Sequence, residues 1–445
     1  MAQDDGPKVL DTVIVGGGIS GLTVAYRLGD RDILLLEKED VCGGRTISRK
    51  MGEYVYNTGA QVVNGDDSLV APLADELGIK RTLIAKSKMP IWMKGKLITA
   101  SSEPAFLWQL PISLGDKLRL GFRMFNIKRK YGKLSKDLPD LNDPKTIKLN
   151  ATTLSEFVGA SSPDLKALWD TVSLATALVP SDQVAAYHPL STLIHFMADE
   201  YYVEGGTWEL TKALWNQTRD KIKVSAEVLE IAQQGDRVQV TYVQNDQTET
   251  VQAHHCVVAL PAPLVAPIVK DLPSWKAGAL SKVDFSPITS AAFLLSKPSE
   301  YFLGEGVWRV PTVGCAIVSV TNPTFTFPSE IKERTGQGLL RVYSVGRESE
   351  KLMEMSDGEA LEALAGELIS VLPEVKGNII TSSLKHWIHG GSPWRLGRLQ
   401  LVPEIQAPTG NVHYCGDYTA GSGMDGAVHS ASRVLEELGA GPLFP

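Results

Sequence analysis

The sequence predicts an α/β fold in which a dinucleotide-binding domain is interleaved with a second domain of mixed sheet and helices. A β-branched run, a glycine-rich turn and an apolar-periodic stretch stand in that order near the start of the chain. Strand texture returns between residues 222 and 260, and a strand, a glycine-rich turn and a helix close the chain. Segments of nucleotide-binding character therefore lie at both ends and in the middle, as interleaved domains require. At about 150 residues per domain, a chain of 445 residues has room for two or three units.

The opening element is LDTVIV (10–15), followed by GGGISG (16–21), the helical spacing of Leu22, Ala25 and Leu28, and the apolar run ILLLE (33–37). Strand, tight turn, helix and strand in this order begin a parallel βαβ unit. From about 87 to 200 tryptophan, leucine and helical spacing dominate, interrupted by a basic stretch (117–136). Its apolar residues, Leu118, Leu120, Phe122, Phe125 and Ile127, are not cleanly segregated to one face. The solvated outer face of a globular helix is thus preferred to a membrane-surface helix. Residues 288–345 alternate apolar runs with turns and predict the second sheet, and 359–372 carry helical spacing again. A strand at 411–415 and a helix from about Asp425 to Leu438 follow. The expected division is 7–86, 201–285 and 386–445 for the dinucleotide domain, and 87–200 and 286–385 for the substrate domain.

Composition excludes several classes. The formal charge of −7 argues against nucleic acid as a partner. The four cysteines, Cys42, Cys256, Cys315 and Cys415, form no CxxC pair, which excludes a disulfide framework and a zinc ribbon. His386, His389, His413 and His429 gather near the last motifs, and His254 and His255 stand apart. None has ligand spacing with acids or cysteines, so no metal is assigned. The start, MAQDDGPKV, is unlike a signal peptide, and no apolar run approaches the roughly 18 residues of a spanning helix. A cytoplasmic protein is the expectation.

Gly16, Gly18 and Gly21 satisfy GxGxxG. The first permits the tight turn, the second lets a pyrophosphate approach the backbone, and the third allows close helix–strand packing. The helix that opens at Ile19 and Ser20 offers unpaired N–H groups and a positive dipole end. Glu37 follows Gly16 by 21 residues, where an acid bonds a ribose hydroxyl. A purely structural turn would need none of these flanking features. Directly beyond, Gly43, Gly44 and Arg45 bring flexible backbone and a guanidinium suited to gripping phosphate oxygens.

GGGISGL (16–22) followed by LLEKEDVCGGRT (35–46) resembles the FAD-binding start of the flavin amine oxidase superfamily, which includes amine oxidases, protoporphyrinogen oxidases and phytoene desaturases. YNTGAQVV (56–63), VEGGTWELTKAL (203–214), AEVLEI (226–231) with VVALPAP (257–263), and HYCGDYTAGSGMDGAV (413–428) extend the resemblance over the whole chain in outline. It implies a Rossmann-type FAD-binding domain and non-covalent FAD. The dinucleotide end would be held by Gly16, Gly18, Ile19, Ser20, Gly21, Glu37, Lys38, Gly43, Gly44, Arg45, Thr46 and Val228. The flavin end would lie against Gly59, Ala60 and Gln61 and against Gly416, Asp417, Gly423, Met424 and Ala427. Asp417 would accept hydrogen bonds from the ribityl hydroxyls, and the helix start near Met424 would stabilise negative charge at the pyrimidine edge.

The implied chemistry is hydride removal from a substrate C–H, leaving C=N or C=C, with O2 as acceptor. The substrate would be a small molecule, either an amine or a hydrophobic or polycyclic compound. Redox-neutral isomerisation or desaturation, and a non-enzymatic binding module of the same fold, are the alternatives. Ser290 stands where many amine oxidases place a lysine, Ser392 where some attach flavin through cysteine, and Pro393 and Gly423 where two tyrosines would cage an amine. These departures disfavour a conventional monoamine oxidase. The short connection between GDYT (416–419) and Met424 is closer to protoporphyrinogen oxidases, whereas MDGAV is closer to amine oxidases and desaturases. Gln61, Trp387 and Trp394 are the expected substrate contacts, while a buried Cys415 reads as a small apolar residue. The oligomeric state is left open.

Overall fold

The computed structural model describes residues 8–65, 68–84, 88–132, 134, 140, 142–194, 199–303, 307–327 and 329–444. Two seven-stranded sheets organise it. In the first, strand Val9–Val15 runs parallel to Ile33–Leu36 on one side and to Gln247–Val258 on the other, with Ile222–Lys223 beyond Ile33–Leu36. Strand Gln247–Val258 is long enough to do two things. Its first half joins the antiparallel meander Ala226–Gln234 and Arg237–Gln244, and its last residues pair in parallel with Val412–Tyr414. The central strands are buried on both faces and accordingly read as near-continuous apolar runs.

Helix Ile19–Arg27 packs against the C-terminal helix Gly423–Glu437 on one face of this sheet. Ile19, Leu22, Ala25 and Leu28 meet Val428, Ala431, Val434 and Leu435 in one apolar cluster. The other face is covered by helix Ser274–Leu280 and the residues around Ile405.

The second sheet takes Ile379–Gly391, Ser286–Leu295, Gly338–Val345, Ser319–Thr321, Arg309–Val313, Met89–Met93 and Lys96–Ala100 in that order. Helix Asp357–Val371 buries Ala360, Leu364 and Leu368 against one face. Its start is fixed by a capping box between Ser356 and Glu359. Strand Ile379–Gly391 pairs with Ser286–Leu295 up to the partners Gly391 and Ser286. The expected boundary at 386 therefore falls inside one continuous strand, and the second sheet extends to Gly391.

The apolar residues of the basic stretch are divided between two faces, as expected. Helix Leu114–Tyr131 turns Leu120, Met124 and Ile127 inward but exposes Leu118 (61%), Phe122 (72%) and Phe125 (63%). With Leu114 these fall four, four and three residues apart, so they form one line along the helix. The outer face therefore carries an exposed apolar line among its charges. Residues 133, 135 and 136 of the stretch lie outside the described residues. Among the described residues no helix is long and apolar enough to cross a membrane.

Candidate active site

The glycine motif folds as its spacing requires. Gly16 has φ +106°, and a Cβ on Gly21 would lie 2.0 Å from the Gly16 carbonyl oxygen, so only glycine lets helix and strand approach this closely. At Gly18 the helix begins without a side-chain cap, and a Cβ there would meet nothing within 4 Å. Ile19 and Ser20 fill the first turn and are buried. Glu37 ends the second strand; its carboxylate accepts from Gly17 N (2.5 Å) and Glu39 N (2.9 Å). Burial pushes its pKa up, and these backbone donors oppose the shift.

The second glycine loop lies directly on the first: Gly43 N donates to Gly17 O at 2.8 Å. Gly43 and Gly44 both have positive φ. Trp208, which opens the helix after Gly205 and Gly206, donates its indole N–H to Cys42 O at 2.9 Å and so braces this loop. Thr46 is buried and its carbonyl accepts from Thr211 Oγ1. Beyond Glu37, the residue Lys38 turns outward to an exposed ion pair with Glu227 (2.7 Å). The neighbouring Val228 sits at a bulge in its strand.

Arg45 differs from the expected phosphate clamp. Its guanidinium makes a bidentate pair with Asp417, Nη1 to Oδ2 at 2.9 Å and Nη2 to Oδ1 at 2.8 Å. Nη1 also donates to Gly390 O (3.2 Å), and the guanidinium carbon stands 5.7 Å from the Phe285 ring centre. Both carboxylate oxygens of Asp417 are thus engaged by Arg45, 372 residues away. The two expected site residues meet each other, because a planar fork matches a carboxylate as well as it matches phosphate.

Residues 57–61 pack on the Arg45–Ile47 segment through Thr58 N to Ile47 O and Ala60 N to Arg45 O, both 3.0 Å. A Cβ on Gly59 would lie 2.1 Å from Arg45 O. Gln61 donates Nε2 to Gly59 O (2.6 Å) and Asn57 O (3.2 Å), so its carboxamide donors brace their own turn. Trp387 donates its indole N–H to Thr58 O at 2.9 Å, which places it against the same turn. Trp394 is different: only 4% exposed, it packs with Leu399 and Val402 below the guanidinium of Arg398.

The closing motif gives Gly416 in a strand-to-helix turn, with Gly416 N donating to Ser430 Oγ at 2.8 Å. Helix Gly423–Glu437 begins without a side-chain cap, and a Cβ on Gly423 would meet nothing within 4 Å. Met424 and Ala427 are buried in its first turns. Cys415 is fully buried, and burial raises its thiol pKa, as fits an apolar role. Sequence reasoning missed Arg398, whose Nη2 donates to Tyr418 O beside Asp417 and whose Nε and Nη1 have no partner although the residue is 3% exposed. An arginine within the apolar spacing of Leu399, Val402 and Ile405 was the available signal.

Two uncapped helix starts that open onto free space, in helices packed against each other, together with an acid at the end of the second strand, define a dinucleotide cradle. The residues present fit FAD: Gly18 and Gly423 leave room where a side chain would otherwise stand, and both dipole ends favour negative charge. The fold and site are those of a two-sheet flavoprotein oxidoreductase. Residues 19–437 match the flavin containing amine oxidoreductase family, and the chain belongs to it. It is a flavin-dependent enzyme that uses FAD. It is 25% identical to a probable flavin-containing monoamine oxidase A of Dictyostelium discoideum, over 96% of this chain and 97% of that one. It is 23% identical to protoporphyrinogen oxidase 1, chloroplastic, of Arabidopsis thaliana, over 96% and 88%. Among solved structures it resembles wild-type putrescine oxidase bound to putrescine, with TM-score 0.81, 18% identity, and coverage of 97% and 99%.

Proposed function

We propose that this enzyme oxidises a small amine or a hydrophobic, polycyclic substrate at a C–H bond, giving C=N or C=C, with O2 as the acceptor. The observation that carries this reading is the pair of uncapped helix starts at Gly18 and Gly423. Bound FAD supplies the hydride acceptor. The first helix start and the Gly43–Gly44 loop would receive its diphosphate, and Glu37 would hold a ribose hydroxyl. The Gly59–Gln61 turn and Trp387 would confine the ring, while the start of helix Gly423–Glu437 would favour negative charge on it. Arg45 holds Asp417 in place for the ribityl chain and ties it to the end of the second sheet at Gly390. With Ser392 where the resemblance places an attachment cysteine, the FAD is non-covalent. A cytoplasmic location is the companion proposal, supported by four cysteines that form no disulfide.

Purified protein should be yellow and release intact FAD on denaturation. Anaerobic mixing with a panel of amines, amino acids and polycyclic reductants should bleach the flavin with at least one member, and admitted air should restore the colour with O2 uptake. A colourless chain that takes up no FAD would overturn the reading. Bleaching without O2 uptake would replace the oxidase by a dehydrogenase or desaturase.

A further inference from the structure

One face of the second sheet looks onto the cofactor-side segment 54–61. Ile288, Ser290 and Ala292 alternate onto that face, and their cross-strand partners share it: Trp387 opposite Ile288, Lys385 and Tyr343 opposite Ser290, Arg341 opposite Ala292, and Ser319 opposite Tyr343. Trp387 fixes the direction by bonding Thr58 O, and Tyr56 clusters with Ala292.

Arg341 is the unusual member. It is 2% exposed, donates Nε to Ser290 Oγ at 2.9 Å, and has its guanidinium carbon 5.2 Å from the Tyr343 ring centre. Its Nη1 is buried without a hydrogen-bond partner, and among the described residues the groups acting on its charge are tyrosines. Ser319 Oγ, two strands from Ser290 on the same face, is also buried and unpartnered. Burial pulls the guanidinium down to about 10, with only Tyr343, Tyr56 and Tyr202 opposing. A buried cation without a counter-charge is among the costliest arrangements in a protein core. A second cation, Lys385, stands half-buried on the same face, and the face residues named here include no acid.

We propose that the substrate carries a carboxylate, which Arg341 receives with the help of Ser319. The inference rests on the oxidation proposed above and names its substrate class. A planar carboxylate suits the free edge of a guanidinium whose other side is already held by Ser290. The bond to Ser290 draws the guanidinium to within one pleat, roughly 7 Å along the strand, of Ile288 and its partner Trp387. The reacting carbon and the anionic group can therefore belong to one compact molecule. Tyr343 and the apolar neighbours exclude water, so the pairing gains more than it would at the surface.

Acetate, hexanoate and benzoate, each beside its alcohol, should be titrated into FAD-loaded enzyme and followed by the flavin absorption spectrum. At least one carboxylate should perturb the spectrum with a Kd tenfold or more below that of its alcohol. Arg341→Met should weaken that carboxylate at least tenfold while leaving the alcohol unchanged, and Arg341→Lys should restore part of the loss. No preference for any carboxylate in the unaltered enzyme would overturn the inference without needing a variant to fold. So would an Arg341→Met enzyme that holds its FAD and binds carboxylates as before. A wild-type chain that takes up no FAD would instead sink the oxidoreductase reading beneath it.

Discussion

At the scale of single residues, the pair Arg45–Asp417 concentrates the most consequence. Asp417 is 5% exposed at its side chain and Arg45 31%. Removing the guanidinium leaves a nearly buried carboxylate without its main donors, at a cost of about 2–3 kcal/mol. Arg45→Ala should lower the urea midpoint of the apoprotein by a corresponding amount and raise the Kd for FAD tenfold or more. Arg45→Lys, which keeps the charge but not the fork, should fall between. An FAD titration unaffected by either change would show that the pair has no part in the cradle. Both residues were legible separately, because each sits in a local motif, but their meeting was not. Sequence spacing carries no information about two groups 372 residues apart until the sheet register is known. Arg341 was less legible still: in GLLRVYSV it is one charge inside an apolar strand, and only the cross-strand partners show which face it occupies.

At the scale of elements, local signals did well where one period or one cap decides the outcome. The strands about Gly16 and helix Asp357–Val371 lie where local patterning placed them, and the helix after Gly206 lies where the resemblance put one. The outer stripe of helix Leu114–Tyr131 did not, because inward and outward apolar residues overlap in sequence and only packing separates them. One junction between elements was invisible. Lys276, fully buried on helix Ser274–Leu280, donates to the carbonyls of Glu404 (3.0 Å), Ile405 (2.6 Å) and Ala407 (2.7 Å) and so caps the end of helix Arg398–Gln406. Lys276→Met should cost about 2 kcal/mol through the stranded carbonyls. Burial, with repulsion from Arg433, pulls this ammonium down to about 7. Between that value and about 10.4 in the unfolded chain, the unfolded state binds the extra proton, so stability contributed here rises with pH. The gap in thermal midpoint between wild type and Lys276→Met should thus be wider at pH 9 than at pH 6.5. A gap independent of pH would mean that the three carbonyls keep the group charged throughout.

At the scale of the whole molecule, alternating apolar segments announced two sheets, while the exact crossing points depend on pairings that no local pattern encodes. Strand Val412–Tyr414 completes the first sheet only by lying beside Gln247–Val258, and helix Gly423–Glu437 rests on helix Ile19–Arg27. Deleting 411–445 should therefore leave material that is insoluble or exposes its apolar core, rather than a smaller folded enzyme, as assayed by sedimentation and dye binding. Such wide separation in sequence also slows folding and lengthens exposure of unpaired strands. The same arrangement sets a timetable for biogenesis: a ribosome must release nearly the entire polypeptide before the vitamin-derived prosthetic group has anywhere to lodge. Cells making this enzyme under riboflavin shortage should accordingly accumulate full-length, unsaturated chains that a late pulse of the vitamin can still rescue.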